Sequence, residues 1–259
     1  MLDGRVAIVS GVGPGLGRAI ALRLASAGAD VALGARTVGH LEPVAKEVEA
    51  RGRRAVAVAT DVTDADQCRR LADTAAAELG RVDILVNNAF AEEDWHEAFT
   101  GFDPKRWHRP VDVNLFGTLA MTHAALPHLR AAGGGSIVNI TTLSIKTVNP
   151  VLGGYASSKA ALTTASQVLA KELGPDGIRV NCVAPGHIMG ESLRDYFDFL
   201  ADRRGVEPRV VHDEVASGNA LNRITTPEEV ADVVLFFTSG RSRVITGQTL
   251  AVNCGRTTE

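Results

Sequence analysis

Val6-Ala7-Ile8-Val9-Ser10-Gly11-Val12-Gly13-Pro14-Gly15-Leu16-Gly17 is the stretch on which the fold turns. Residues 6–10 are short, apolar and β-branched, and glycine stops them, as at the end of a buried strand. From Leu16 the apolar period changes. Ile20, Leu22 and Leu24 belong to a helix predicted over 16–27, which Gly28 ends. Gly11, Gly15 and Gly17 therefore lie between a strand and a helix. Glycine there permits unusual backbone angles and lets a pyrophosphate approach the chain closely. The following helix offers unpaired N–H groups and the positive end of its dipole. The spacing is G-x-x-x-G-x-G and not the G-x-G-x-x-G fingerprint. A tight strand–helix turn would also use glycine, but three of them after a first strand favour a phosphate-bearing cofactor.

The alternation continues outward from this unit. Strands are predicted over 31–33, 55–59, 84–86, 136–140, 179–183 and 249–252. Helices are predicted over 40–50, 64–79, 103–132 with a break near Pro110, 155–173, and 227–237 with proline in the first turn. Strands alternating with helices imply an α/β fold with a doubly wound parallel sheet of about seven strands, helices on both faces and right-handed crossovers. Sites in such sheets lie at the carboxyl ends of the strands. Gly11, Asn87, Thr142 and Pro185 all follow predicted strands, so the fold gathers them at one edge.

No low-complexity linker interrupts the 259 residues, so 1–259 reads as one domain. Hydrophobic residues at 45% and charged residues at 22% are ordinary for a soluble globular chain that can bury a substantial core. A net charge of −3 gives no basic footprint for nucleic acid. Cys68, Cys182 and Cys254 are odd in number and far apart, which implies no disulfide framework and fits a reducing cytoplasm. The amino terminus carries an early acidic residue and lacks the length of a signal peptide, and no apolar stretch approaches a membrane span.

Tyr155 and Lys159 stand four residues apart in Tyr155-Ala156-Ser157-Ser158-Lys159, which on a helix puts both on one face. An ammonium beside a phenol favours the phenolate, making an acid–base pair; a solvated helix face is the bland alternative. About twenty residues past the glycines, an NAD-preferring domain places a carboxylate near the ribose hydroxyl. Here the chain reads Gly34-Ala35-Arg36-Thr37, with no acid. Arg36 either meets a 2′-phosphate, which leans the cofactor toward NADP(H) over NAD(H), or is a solvated loop residue.

Taken together, these residues resemble the short-chain dehydrogenase/reductase family over essentially the whole chain. The resemblance rests on Gly11-x-x-x-Gly15-x-Gly17, Asp61-Val62, Asn87-Asn88-Ala89, Asn114, Tyr155-x-x-x-Lys159 and Pro185-Gly186, in the family's order and separations. It implies a Rossmann-type sheet and an NAD(P)-dependent alcohol dehydrogenase or ketoreductase, interconverting a secondary alcohol and a ketone by hydride transfer. It also implies site roles. Gly11, Gly15, Leu16 and Gly17 would form the cofactor turn with Arg36 nearby. Asp61 and Val62 would contact adenine. Asn87 and Ala89 would line the cofactor cleft. Asn114, Thr142, Tyr155 and Lys159 would be catalytic, with Tyr155 as acid/base and Lys159 holding the nicotinamide ribose. Ile188, after Pro185-Gly186, would present backbone to the nicotinamide amide. A homotetramer or dimer built through the Asn114 and Tyr155 helices is implied too.

The departures are informative. Thr142 stands thirteen residues before Tyr155, where the family usually has serine. Threonine keeps the hydroxyl but is stiffer, and Ser144 is the substitute hydroxyl. Phe90 replaces the glycine that usually follows Asn-Asn-Ala, Gly190 replaces a threonine near the cofactor amide, and Asn253-Cys254-Gly255 replaces Asp-Gly-Gly.

On the substrate side, residues 187–217 are too long for a connector and read as a lid. Leu193, Tyr196, Phe197 and Leu200 recur at helical spacing, either as the stripe of a short amphipathic lid helix or as core packing. Phe90, Trp95, Tyr196 and Phe197, with Ser144, would wall a pocket for an apolar or ring-bearing small molecule. The seven histidines show no metal-ligand pattern, and no serine sits in G-x-S-x-G. Two other functions fit the same fold: a nicotinamide-using epimerase or dehydratase without net redox change, and a catalytically silent cofactor-binding regulator.

Overall fold

The structure, a computed structural model, describes residues 1–91, 99–101 and 103–258. Its centre is one parallel sheet of seven strands in the order β3-β2-β1-β4-β5-β6-β7. The strands are β1 Val6–Ser10, β2 Asp30–Ala35, β3 Ala55–Ala59, β4 Ile84–Asn87, β5 Gly135–Ile140, β6 Ile178–Pro185 and β7 Thr249–Val252. β1 pairs with β2 on one side and β4 on the other, Ser10 facing both Gly34 and Asn87. The strand order reverses between β1 and β4, where a doubly wound sheet opens its crevice.

Side chains of β1 alternate between two cores, as the two-residue period of a strand requires. Ala7 and Val9 enter one cluster with α1 (Leu16–Ser26), α2 (Val38–Glu49) and α10 (Pro227–Thr238). Val6 and Ile8 enter the other with α3 (Ala65–Leu79), α5 (Thr118–Ala131) and α7 (Gly153–Leu173). Local chemistry fixes the helix ends. Asp64 caps α3 by accepting from the amides of Asp66 and Gln67 at 2.9 and 3.1 Å, and Gly80 ends it at φ +95°. Thr226 and Glu229 form a reciprocal capping box before α10.

The helix predicted over 103–132 is segmented. A 3₁₀ turn Pro104–Trp107 leads to α4 (His108–Val111), then a π-helical turn Asp112–Gly117, then α5. Gly117 abuts Val62 so closely that a Cβ there would lie 2.6 Å from Val62 Cγ2. The π turn holds Asn114 fully buried, consistent with the use of such turns at functional sites.

The 187–217 segment forms two helices where the sequence stripe suggested one. They are α8 (Glu191–Arg204) and α9 (Pro208–Ser217), separated by Gly205 at φ +65° and restarted by Pro208. Their common core contains Phe197, Ala201, Val211, Ala216 and Ile224. A short helix α6 (Ser144–Thr147) leads from β5 toward α7.

Candidate active site

The glycine turn is built by contact. Gly11 has φ +87°, and a Cβ there would fall 2.2 Å from Ala89 N. At Gly17 a Cβ would sit 2.4 Å from Gly11 O, which already accepts from Asn88 Nδ2 at 2.7 Å. These two glycines let β1, α1 and the chain after β4 close on one another. Gly15 differs: nothing lies within 4 Å of where its Cβ would be, and as the N-cap of α1 it has no side chain to cap the helix. An open, uncapped helix N-terminus behind a strand fits a dinucleotide pyrophosphate. Leu16 packs half-buried against the core.

Arg36 is exposed directly after β2. Asp61 Oδ1 accepts from Thr63 N and Oγ1 at 3.0 and 2.8 Å. Those bonds hold its carboxyl below the ordinary value, opposed by burial and assisted by Arg36 and Arg109. Val62 is buried against the π turn.

Asn87 is 3% exposed, and its Nδ2 donates to Asn139 Oδ1 at 2.9 Å and Thr122 Oγ1 at 3.1 Å. Asn139 Nδ2 in turn donates to Ser166 Oγ at 2.8 Å. Strand register places Ser10, Asn87, Asn139 and Cys182 in one transverse row. The sheet thus carries a polar layer where its strands end, tied to α5 and α7. Sequence reading missed Asn139, Thr122 and Ser166, because their partners lie far off along the chain.

Asn114 is saturated by its neighbours. Its Oδ1 accepts from Ala91 N at 2.8 Å, and its Nδ2 donates to Ala91 O at 2.8 Å and to Ser158 Oγ at 2.9 Å. Ser158, fully buried, donates to Tyr155 O at 2.7 Å. Asn114 and Ser158 thereby join the chain after β4 to the backbone of Tyr155. Ser158 was quoted in the tyrosine motif without a role; only the fold reveals its partners.

Thr142, 9% exposed, and Ser144, half-buried, present adjacent hydroxyls after β5. Thr142 Oγ1 donates to Ser144 Oγ at 3.2 Å and accepts from Ser144 N at 3.1 Å. Leu143 N between them donates to Pro185 O at 2.8 Å, locking this segment to the end of β6. Farther along, Val148 is held at φ +35°, a strained conformation for a β-branched residue.

Tyr155 is half-buried near the start of α7, and its ring meets Phe90 edge-on at 6.5 Å. Lys159, one turn on, is 2% exposed, with Nζ donating to Ile140 O at 2.7 Å. Burial pushes the amine down to about 8, with Cys182 acting the other way. Ile188 forms a parallel bridge with Thr225. Phe90 is 58% and Tyr196 42% exposed, whereas Phe197 is 4% exposed and turned into the α8–α9 core beside His212. Trp95 lies outside the described residues. Among those described, no cluster of three or more His, Cys, Asp or Glu is placed to hold a metal, and no helix is long and apolar enough to cross a membrane.

A family model described as enoyl-(acyl carrier protein) reductase matches residues 11–257. A cis-4-hydroxycyclohexanecarboxylate dehydrogenase of Sinomonas cyclohexanicum is 35% identical over 258 residues, covering 98% of this chain and 96% of the relative. The structure of L-sorbose reductase from Gluconobacter frateurii, complexed with NADPH and L-sorbose, superposes with a TM-score of 0.92 at 30% identity, covering 98% and 97% of the two chains. A 7α-hydroxysteroid dehydrogenase complexed with NADH and 7-oxo glycochenodeoxycholic acid gives 0.86 at 31% identity, covering 98% and 94%. The chain belongs to the short-chain dehydrogenase/reductase family of NAD(P)-binding oxidoreductases.

Proposed function

We propose that this chain is an NADP(H)-preferring dehydrogenase/ketoreductase that interconverts a secondary alcohol and a ketone, with Tyr155 as the acid/base. The buried Lys159 carries the reading. Desolvating a cation is costly; here the buried Nζ donates to Ile140 O, one helical turn from a half-buried phenol. Strongly perturbed amines cluster at functional sites.

The bound nicotinamide supplies the hydride acceptor or donor. The chain's part is proton management and positioning. In oxidation the Tyr155 oxygen takes the alcohol proton; in reduction it returns one. The Lys159 ammonium favours the phenolate. The Thr142 hydroxyl, seated by Ser144 N, donates to the substrate oxygen. Gly15 and the α1 amides receive the pyrophosphate, Arg36 the 2′-phosphate, and Asp61, Val62 and Ala89 flank the nucleoside. Phe90, against Tyr155, walls the substrate side under a lid formed by α8 and α9. A ring-bearing substrate suits that wall, and one relative is named for a cyclohexane alcohol bearing a carboxylate. We further place the enzyme in the cytoplasm as a tetramer or dimer joined through α5 and α7; Val168 on α7 is 58% exposed.

The test follows nicotinamide absorbance across alcohols and ketones from small polyols to steroids. Net absorbance change is expected, and Tyr155→Phe should abolish it while cofactor binding survives. Product formed without absorbance change would make the protein an epimerase or dehydratase. Cofactor binding with no product would make it a regulator.

A further inference from the structure

The first turn of α7 carries Tyr155, and its own sequence does little to hold it. Its N-cap is Leu152, whose side chain offers no acceptor to the helix N–H groups. Gly153 and Gly154 follow, immediately before Tyr155, and glycine is the poorest helix former after proline. Packing fixes this turn instead. The indole of Trp107 lies over Gly153: a Cβ there would fall 2.4 Å from Trp107 Cζ2 and 3.1 Å from Cη2. Gly153 is helical, with φ −58° and ψ −50°, so its backbone is open to a side chain and it is the ring that excludes one.

Trp107 ends the 3₁₀ turn Pro104–Trp107, which Asp103 caps by accepting from Lys105 N at 2.9 Å. The indole also meets the Phe99 ring at 5.5 Å in an edge-to-face contact. Farther along the same segment, Asn114 Nδ2 reaches Ser158 Oγ at 2.9 Å. Residues 107–114 therefore grip α7 at two points that bracket Tyr155, one at Gly153 and one at Ser158. The Asn114 contact is a hydrogen bond, whereas the contact at Gly153 is steric.

We propose that Trp107 is a positioning residue for Tyr155: its indole, seated on Gly153, sets the first turn of α7 and with it the place of the phenol oxygen. This rests on the oxidoreductase reading above and adds a residue to its machinery. Misplacing a reacting group by about 1 Å can cost roughly 10²-fold in rate. A contact two residues from the phenol can thus govern turnover without touching a reacting atom.

The test uses the atoms in contact. Cζ2 and Cη2 form the far edge of the indole, which Trp107→Phe removes and the methyl group of Gly153→Ala would replace. Gly153→Ala alone should lower kcat for reduction of cyclohexanone by NADPH about tenfold or more, with KM and NADPH binding within about threefold of the wild type. Trp107→Phe alone, which opens a gap, should lower kcat about threefold or more. The double variant should turn over faster than Gly153→Ala alone, a coupling expected only of residues that touch. A second readout needs no turnover. The chain has two tyrosines, Tyr155 and Tyr196, so in a Tyr196→Phe background the ultraviolet difference absorbance of tyrosinate follows Tyr155 alone. Because the Lys159 ammonium acts on that phenol over a short distance, Gly153→Ala should move its titration by about half a pH unit or more, and the double variant should bring it back. An indole that merely stabilises the fold would lower the melting temperature while leaving the titration and the kcat–KM split unmoved, which overturns the proposal. A double variant whose two losses multiply overturns it as well. If the wild type does not reduce cyclohexanone, the titration still decides, so a failed oxidoreductase reading and a failed positioning role give different results.

Discussion

The hydroxyls of Thr142 and Ser144 stand 3.2 Å apart, and only Thr142 Oγ1 also accepts the backbone N–H of its neighbour. That second bond fixes the threonine oxygen, and its proton, which Ser144 Oγ accepts at 3.2 Å, has only to rotate to reach a substrate oxygen. Thr142→Ala should therefore lower kcat by about 10²-fold or more, in the range of a lost oxyanion donor. Thr142→Ser should retain most activity and Ser144→Ala should lose less than about tenfold. Steady-state rates on one substrate decide this; a near-normal Thr142→Ala enzyme would transfer the role to Ser144.

Lys159 makes apo-protein stability depend on alkaline pH. Its amine is pushed from 10.5 to about 8 by burial. Below about pH 8 it is charged in both folded and unfolded chains, and the folded one bears the full desolvation cost. Between those values the unfolded chain holds the proton and the folded one does not, so stability rises with pH. The rise due to this residue is on the order of 3 kcal/mol. Urea midpoints at pH 7.5 and 9.5 should show about 2 kcal/mol of it for the wild type relative to Lys159→Met, which should lack this increment.

Arg36 stands where no acid follows β2, with its charge felt at Asp61. Arg36→Leu should weaken NADPH by about 1.5–3 kcal/mol, roughly tenfold or more, as for loss of a charge-assisted bond. NADH should change by less than about threefold. Fluorescence titration with both dinucleotides checks this, and equal losses would remove Arg36 from the 2′ position.

Among the described residues, Ser158 Oγ alone accepts the second Asn114 Nδ2 hydrogen. Ser158→Ala leaves that donor buried and unpaired, a cost of about 1–3 kcal/mol. Thermal unfolding should fall by several degrees. If the serine also sets the Tyr155 backbone, kcat should drop more than KM rises. An unchanged melting temperature would mean that the network relaxes around the deletion.

The glycine turn was legible because strand, turn and helix are consecutive, and each glycine's need is local. The helix starts at Asp64 and Thr226 are equally local. The two-helix lid had a signal that periodicity alone passed over: Gly205 followed three residues later by Pro208, a stop and a start. The π turn around Asn114 had none, since one extra residue in a helical turn leaves no compositional mark. The Asn87–Asn139–Ser166 layer was invisible because hydrogen-bond partners are set by strand register, which joins positions 52 and 27 residues apart.

Sequence alone determined the order of strands and helices, the uncapped glycine N-terminus and the one-turn spacing of Tyr155 and Lys159, since all depend on residues within a few positions of each other. The tertiary structure decided that Lys159 is buried against Ile140 O and that Asn114 is spent on Ala91 and Ser158. A charge's proton affinity and an amide's partners depend on what packs around them, and that surrounding chain comes from distant parts of the sequence.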